Sequence, residues 1–254
     1  MKLIPLLLFC FGILSPGTAP ANSPAETFVQ ANQAYENGDP QTATRLYESL
    51  TVAASPLSGA GSAQVHYNLG NAYLRQEQLG KAIASYLRSL KENPINEDLL
   101  ANLHYARSHT TDDVTPRAPG PVVRTLFFWH FILGHRTIIH LFLVVNLIFW
   151  GLLTARLYFQ KEGLLWGRHL ALAVLLALGG SIMVRVFNPQ KVGVVQPKVA
   201  SVYAGQSPKS VIRFKLHEGT EVEVVAEEDS WVRISLPDQK QGWIPLSDVA
   251  IISL

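Results

Sequence analysis

The chain has 254 residues, 48% of them apolar and only 16% charged, with a formal net charge of +2. The charged fraction is low for one soluble domain, and the charge is uneven: residues 22–118 hold seven Lys/Arg against ten Asp/Glu, residues 188–254 hold seven against eight, and the remainder holds seven basic residues against Glu162 alone. The cationic excess therefore flanks apolar segments, neither polar region is basic, and the balance argues against a nucleic-acid partner.

Residues 1–21 read as a secretory signal peptide. Lys2 gives the positive start, Leu3 to Leu14 the apolar core, and Ala19-Pro20-Ala21 a small-x-small cleavage site. An uncleaved anchor is the alternative, although the apolar run is short for a full crossing. The one cysteine, Cys10, falls inside this segment, so a cleaved chain has no thiol, no disulfide and no thiolate metal site.

Residues 22–108 repeat themselves. "ANQAYENGDPQTATRLYESL" and "GNAYLRQEQLGKAIASYLRSL" superpose at an offset of 39, aligning Asn32 with Asn71, Ala43 with Ala82 and Tyr47 with Tyr86. A second offset of 34 carries Asn68-Leu69 onto Asn102-Leu103, and the Ser/Gly/Pro-rich stretch Ser55–Gly61 absorbs the difference as a loop. Gly70 and Ala82 allow two helices to approach closely, Tyr73 and Tyr86 fill the space between them, and Pro94 ends the second helix. The pattern resembles the tetratricopeptide repeat, a helix–turn–helix unit of about 34 residues. The first copy departs from it, with Ala34 in place of an aromatic that moves to Tyr35. "NEDLLANLHYARS" then reads as a terminal helix covering the last apolar face, as a stack of repeats requires. The resemblance implies a concave face lined by Phe28, Asn32, Tyr67, Asn71, Leu74, Arg75 and Tyr105, with Asn32 and Asn71 hydrogen-bonding the backbone of a bound protein segment.

Residues 109–124 are polar and Pro-rich, a tether by composition. Residues 125–187 read as a membrane region with two transmembrane helices, about 137–156 and 166–186. Between Arg136 and Arg156 lie 19 residues without formal charge, a rise of about 28 Å, close to the hydrocarbon thickness. Between Arg168 and Arg185 lie 16, roughly 24 Å, which spans if flanking arginines snorkel; a re-entrant segment is the alternative. Asn146, mid-way along the first crossing, is expected to face a helix rather than lipid. Ala173, Ala177 and Ser181 form a small-residue stripe on the second, suited to pairing of the two crossings. With an exported amino-terminal region, two crossings return the carboxyl terminus to the exported side, leaving Arg156, Lys161 and Arg168 in the cytoplasmic loop.

Three histidines, His130, His135 and His140, recur at five-residue steps in "WHFILGHRTIIH". Each step turns a helical side chain by about 140°, so the three point apart and cannot chelate one ion from a single helix. Their neighbours Phe127, Phe128, Trp129 and Arg136 are the amphipathic company of a membrane–water interface.

Residues 194–254 change to short alternating strands. Val222 and Val224 alternate with Glu221 and Glu223, Trp231–Ile234 follows an acidic turn, and Pro237-Asp238 opens another. Strands this short, joined by tight turns, fit a small closed barrel. His217-Glu218-Gly219-Thr220, Trp231, Gly242-Trp243-Ile244-Pro245 and Ser247-Asp248 occur in the order that resembles the bacterial SH3-like domain, with Gln239-Lys240-Gln241 in place of a Gly-containing turn. The resemblance implies binding of cell-wall peptides or proteins. Tyr203, Trp231 and Trp243 are candidate contacts, although tryptophans in so small a barrel are as often core.

The expected fold class is a multidomain membrane protein with an all-α tetratricopeptide-repeat domain, two transmembrane helices and an all-β SH3-like small barrel. No phosphate-cradling Gly-rich loop, histidine pair at ligand spacing or recognisable triad points to an enzyme, and no cofactor or metal is expected. The order of parts, with "FWH" and "N..FW" in the membrane region, is similar to the BatE family of aerotolerance proteins. That resemblance implies a non-enzymatic scaffold of the bacterial inner membrane, with von Willebrand factor A-type Bat partners and, indirectly, an AAA+ ATPase. A tether that binds peptidoglycan through the barrel is the alternative.

Overall fold

The computed structural model describes residues 23–52, 60–114, 120–159, 161–187 and 189–253. The signal peptide with Cys10, most of the Ser55–Gly61 insert and residues 115–119 of the tether lie outside the described residues.

Five helices form the amino-terminal array: α1 (Pro24–Glu36), α2 (Pro40–Val52), α3 (Ala60–Leu74), α4 (Leu79–Glu92) and α5 (Glu97–Ser108). At the start of α1, the Ser23 hydroxyl accepts from Glu26 N while the Glu26 carboxylate accepts from Ser23 N, a reciprocal cap beside Pro24. Helices pair as α1 with α2 and α3 with α4, and α5 covers the open side of α4. Ala31, Ala43 and Tyr47 fill the first pair, Ala72, Ala82 and Tyr86 the second, and Leu99, Leu103 and Ala106 seal the end. A Cβ on Gly70 would lie 2.4 Å from Tyr86 Cε1, so α3 and α4 meet as closely as the repeat pattern anticipates.

After two short helices, α6 (Pro121–Leu126) and α7 (Phe128–Ile132), come α8 (His135–Tyr158) and α9 (Glu162–Phe187). Both long helices reach a mean hydropathy of 2.2 and are long and apolar enough to cross a membrane. They pack against each other through the α9 face of Ala171, Leu175, Leu178 and Ser181. Of the small-residue stripe, Ser181 is buried there, Ala177 is half-buried and Ala173 is exposed. Asn146 is half-buried, with no hydrogen-bond partner among the described residues. At the far end His130 Nδ1 lies 2.6 Å from Ser181 Oγ, and Arg185 donates to the carbonyls of His130 and Leu133, tying α7 to the end of α9.

Among the described residues seven strands follow: β1 (Lys191–Val195), β2 (Val199–Tyr203), β3 (Ile212–His217), β4 (Glu221–Glu228), β5 (Trp231–Ser235), β6 (Gln241–Pro245) and β7 (Val249–Ser253). They form one antiparallel sheet in the order β3-β2-β6-β5-β4-β1-β7, with register shifts at Val202/Tyr203 and Val224/Ala226. Val195, Val202, Leu216, Val222, Val232, Ile244 and Val249, one from each strand, share a single core, so the sheet bends around it.

The barrel sits on the helical array. Along β1 and β7, Val195 and Val249 face the barrel core, whereas Val194 and Ile252 face outward and join the core of α4. This explains why α4 is buried on nearly every side. A Cβ on Gly80 would lie 2.4 Å from the Val195 carbonyl, so glycine permits the contact. Polar groups close the seam. Gly80 N donates to Glu218 Oε1 and Gln196 Nε2 donates to the Gly80 carbonyl. Arg107 grips the buried Glu221 carboxylate with two bonds of 2.6 and 2.8 Å. Asp112 accepts from His217 N and Thr220 Oγ1, and its other oxygen lies 2.8 Å from His217 Nδ1. Burial of Asp112 alone would raise its pKa, but these donors outweigh it and hold the carboxyl below the ordinary value.

Candidate functional site

Two surfaces outside this seam have the make-up of binding sites. The first lies on the array, where α1 and α3 present their side chains beside α2. A cavity of about 280 Å³ is lined by Asn32, Tyr35, Glu36, Tyr47, Asn68 and Asn71. Local geometry explains its asparagines. Tyr47 Oη donates to Asn32 Oδ1 at 2.6 Å and Tyr86 Oη donates to Asn71 Oδ1 at 2.8 Å, the same bond in each repeat. Neighbouring amides add to each acceptor: Asn68 Nδ2 donates to Asn32 Oδ1 and Asn102 Nδ2 to Asn71 Oδ1. Both carbonyl oxygens are therefore used internally, while neither Asn32 Nδ2 nor Asn71 Nδ2 has a partner among the described residues. Two oriented amide donors on one cavity suit the carbonyls of an extended chain.

The other anticipated groove residues divide. Arg75 lies 4.0 Å above the Tyr35 ring and donates to the Tyr35 carbonyl, so it stands behind a lining residue and not in the lining itself. Phe28 packs edge-on against Tyr47 and, like Leu74, borders the core. Tyr67 leans on Tyr86, and Asn102 Nδ2 donates to its hydroxyl. Tyr105 is exposed and stacks on His109, apart from the cavity. Asn68, Tyr35 and Glu36 line the cavity without having been singled out. Asn68 carried a signal, since the 34-residue offset already aligns it with Asn102.

The second surface is the outer face of β2, β6 and β5. Val232 and Ile234 point inward, which turns Trp231 and Arg233 outward; Ile244 does the same for Trp243, and Val202 for Tyr203. Tyr203 pairs across strands with Trp243, and its ring meets Trp231 edge-on at 5.6 Å. All three aromatics are half-buried and on one face, the outward alternative of the two left open by sequence. Arg233 stands opposite Trp243 and donates to Gln241 Oε1, giving the patch a basic margin. Flat rings beside a cation suit sugar faces, aromatic side chains or a carboxylate-bearing peptide.

The family model described as tetratricopeptide repeat matches residues 63–96, and that described as bacterial SH3 domain matches residues 196–249. No curated protein matches the chain. The first match covers the second repeat copy, whose aromatics keep the expected spacing; the second covers most of the barrel. Both are interaction modules, typically without catalytic activity, that engage proteins or, for the bacterial SH3 domain, peptidoglycan. Among the described residues no group of three or more His, Cys, Asp or Glu side chains is placed to hold a metal ion.

Proposed function

We propose that the protein is a non-enzymatic membrane scaffold that grips a partner protein in the Asn32–Asn71 cavity while α8 and α9 hold it in the bilayer. The pair of unpartnered amide donors in that cavity carries the reading. Two crossings put both soluble parts on one side, and the shared core of Val194 and Ile252 with α4 supports that arrangement, since docking across a bilayer is impossible. The signal-like residues 1–21 favour the exported side of the bacterial inner membrane. By the resemblance to BatE-type proteins, the partners are other membrane proteins, von Willebrand factor A-type Bat proteins among them, with an AAA+ ATPase acting indirectly. Crosslinker introduced at exposed Glu36, on the cavity rim, is expected to capture one protein from native membranes. Arg75→Glu, which reverses the charge held against the lining residue Tyr35, should reduce that capture at least tenfold, and undiminished capture would sink the groove assignment.

The aromatic face of the barrel favours a second reading, a tether to peptidoglycan. Detergent-solubilised full-length protein should then sediment with purified sacculi, and Trp231→Ala with Trp243→Ala should leave it in the supernatant. If the unaltered protein stays in the supernatant, the tether is lost and the scaffold stands alone.

A further inference from the structure

Where α4 ends and α8 begins, a second cavity of about 270 Å³ opens between the array and α8, with Gln64, Tyr67, Glu92, Asn96, Arg136 and Thr137 in its lining. Beside it the backbones approach closely: a Cβ on Gly134 would sit 2.4 Å from the Glu92 carbonyl. The array therefore rests directly on the residue that caps α8. Arg136 and Thr137 belong to the first turn of that helix, and from Thr137 to Ala155 no residue carries a formal charge. On the reading that α8 crosses the bilayer, this turn lies at headgroup depth. The short helices beside it agree, since Val122, Val123, Leu126, Phe127, Phe128 and Ile132 are all exposed, as in segments that lie along a membrane surface.

The cavity carries both signs of charge, with Arg136 exposed and Glu92 half-buried. Arg136 brings a guanidinium and Glu92 a carboxylate, yet neither makes an ion pair among the described residues, and they do not pair with each other. Two opposite charges held on the walls of one cavity and kept apart suit a ligand that carries both signs a short distance apart. Tyr67 and the side-chain amide of Gln64 add polar groups around them.

We propose that this cavity binds a phosphate ester bearing a nearby ammonium, the chemistry of a zwitterionic phospholipid headgroup such as phosphatidylethanolamine. Arg136 takes the phosphate by forked hydrogen bonds and Glu92 takes the ammonium. The acyl chains run down α8, whose outward side chains Leu141, Val144 and Ile148 are exposed. The lipid thus fills the joint between the array and the crossing and sets the array's height over the bilayer. The proposal rests on α8 spanning the membrane, which alkaline extraction tests separately: release from the vesicles would overturn the spanning reading, whatever the lipid data.

Native mass spectrometry of the full-length protein in mild detergent, with equal phosphatidylethanolamine and phosphatidylglycerol added, reads the selectivity. The intact protein is expected to retain the ethanolamine lipid about tenfold over the glycerol lipid, which lacks the ammonium. Glu92→Gln should abolish that preference while glycerol lipid still binds, and Arg136→Gln should lower retention of both. Arg136→Lys should restore part of the binding, which a merely misfolded variant would not do. Free phosphoethanolamine at millimolar concentration should leave the bound lipid in place; displacement would show that a soluble ester, not a lipid, is the ligand. Equal retention of the two lipids by the intact protein, or a preference that survives in Glu92→Gln, overturns the proposal.

Discussion

Removing Arg107 should loosen the barrel from the array more than neutralising its partner does. The Glu221 side chain is only 5% exposed, whereas that of Arg107 is 38% exposed. Arg107→Ala therefore strands a carboxylate where water reaches it poorly. Breaking a fully buried pair costs about 3–5 kcal/mol, and an exposed pair about 0–1 kcal/mol. Water entering the space left by the half-exposed arginine brings the expected cost to about 2 kcal/mol, between those limits. Glu221→Gln instead leaves a guanidinium that can turn to solvent, and should cost about 1 kcal/mol, the scale of one ordinary hydrogen bond. Hydrogen exchange on the detergent-solubilised chain reads the difference at the amide of Gly80, which donates across the seam to Glu218. Opening of the seam made easier by about 2 kcal/mol should speed exchange there about thirtyfold in Arg107→Ala. Exchange unchanged in Arg107→Ala, or equally fast in Glu221→Gln, refutes the claim that the seam is held by a buried carboxylate.

Three further outcomes follow from the same geometry. Gly70→Ala drives a methyl to 2.4 Å from Tyr86 Cε1, and because Tyr86 is fully buried and bonded to Asn71 it cannot yield, so helical melting should show a loss of about 1–3 kcal/mol. Burial, reinforced by Arg88, pushes the His66 imidazole down to about 4, so the folded state keeps it neutral while the unfolded chain takes a proton below its ordinary value of 6.5. Stability should fall as pH drops from 6.5 toward 4, by at most about 1.4 kcal/mol per pH unit, and His66→Leu, which also removes the unpartnered Nδ1, should flatten that slope in a urea titration. Gly242→Ala places a methyl 2.5 Å from Val202 Cγ1 under the aromatic face, and should lower the midpoint of barrel unfolding seen by tryptophan fluorescence.

The repeat, the two apolar helices and the strand alternation were legible because each is a local periodicity. Tyr47 and Tyr86, aligned by an offset of 39, occupy equivalent places and make the same bond to equivalent asparagines. The barrel's position on α4 was not legible, because it depends on residues far apart in the chain, as in the Gly80–Glu218 contact across 138 positions. A trace existed in "KVGVV", where apolar residues at both parities mean that both faces of the strand are covered. The helix histidines illustrate the limit of single-helix reasoning. Their spacing does separate them on one helix, but His130 still reaches Ser181 on another. The stripe of Ala173, Ala177 and Ser181 was read by four-residue steps, while the face that packs also follows the three-residue step from Leu175 to Leu178, which leaves Ala173 outside.

The seam between α4 and β1 also dictates an order of events during synthesis. The surface of α4 that finally receives Val194 and Ile252 is made early, yet its cover is encoded after both apolar helices. Until the strand Val249–Ser253 has been made, that sticky surface waits bare. A newborn chain stalled between α8 and α9 would thus offer a ready target to a chaperone or a protease, and the carboxyl-terminal strand is what ends that exposure.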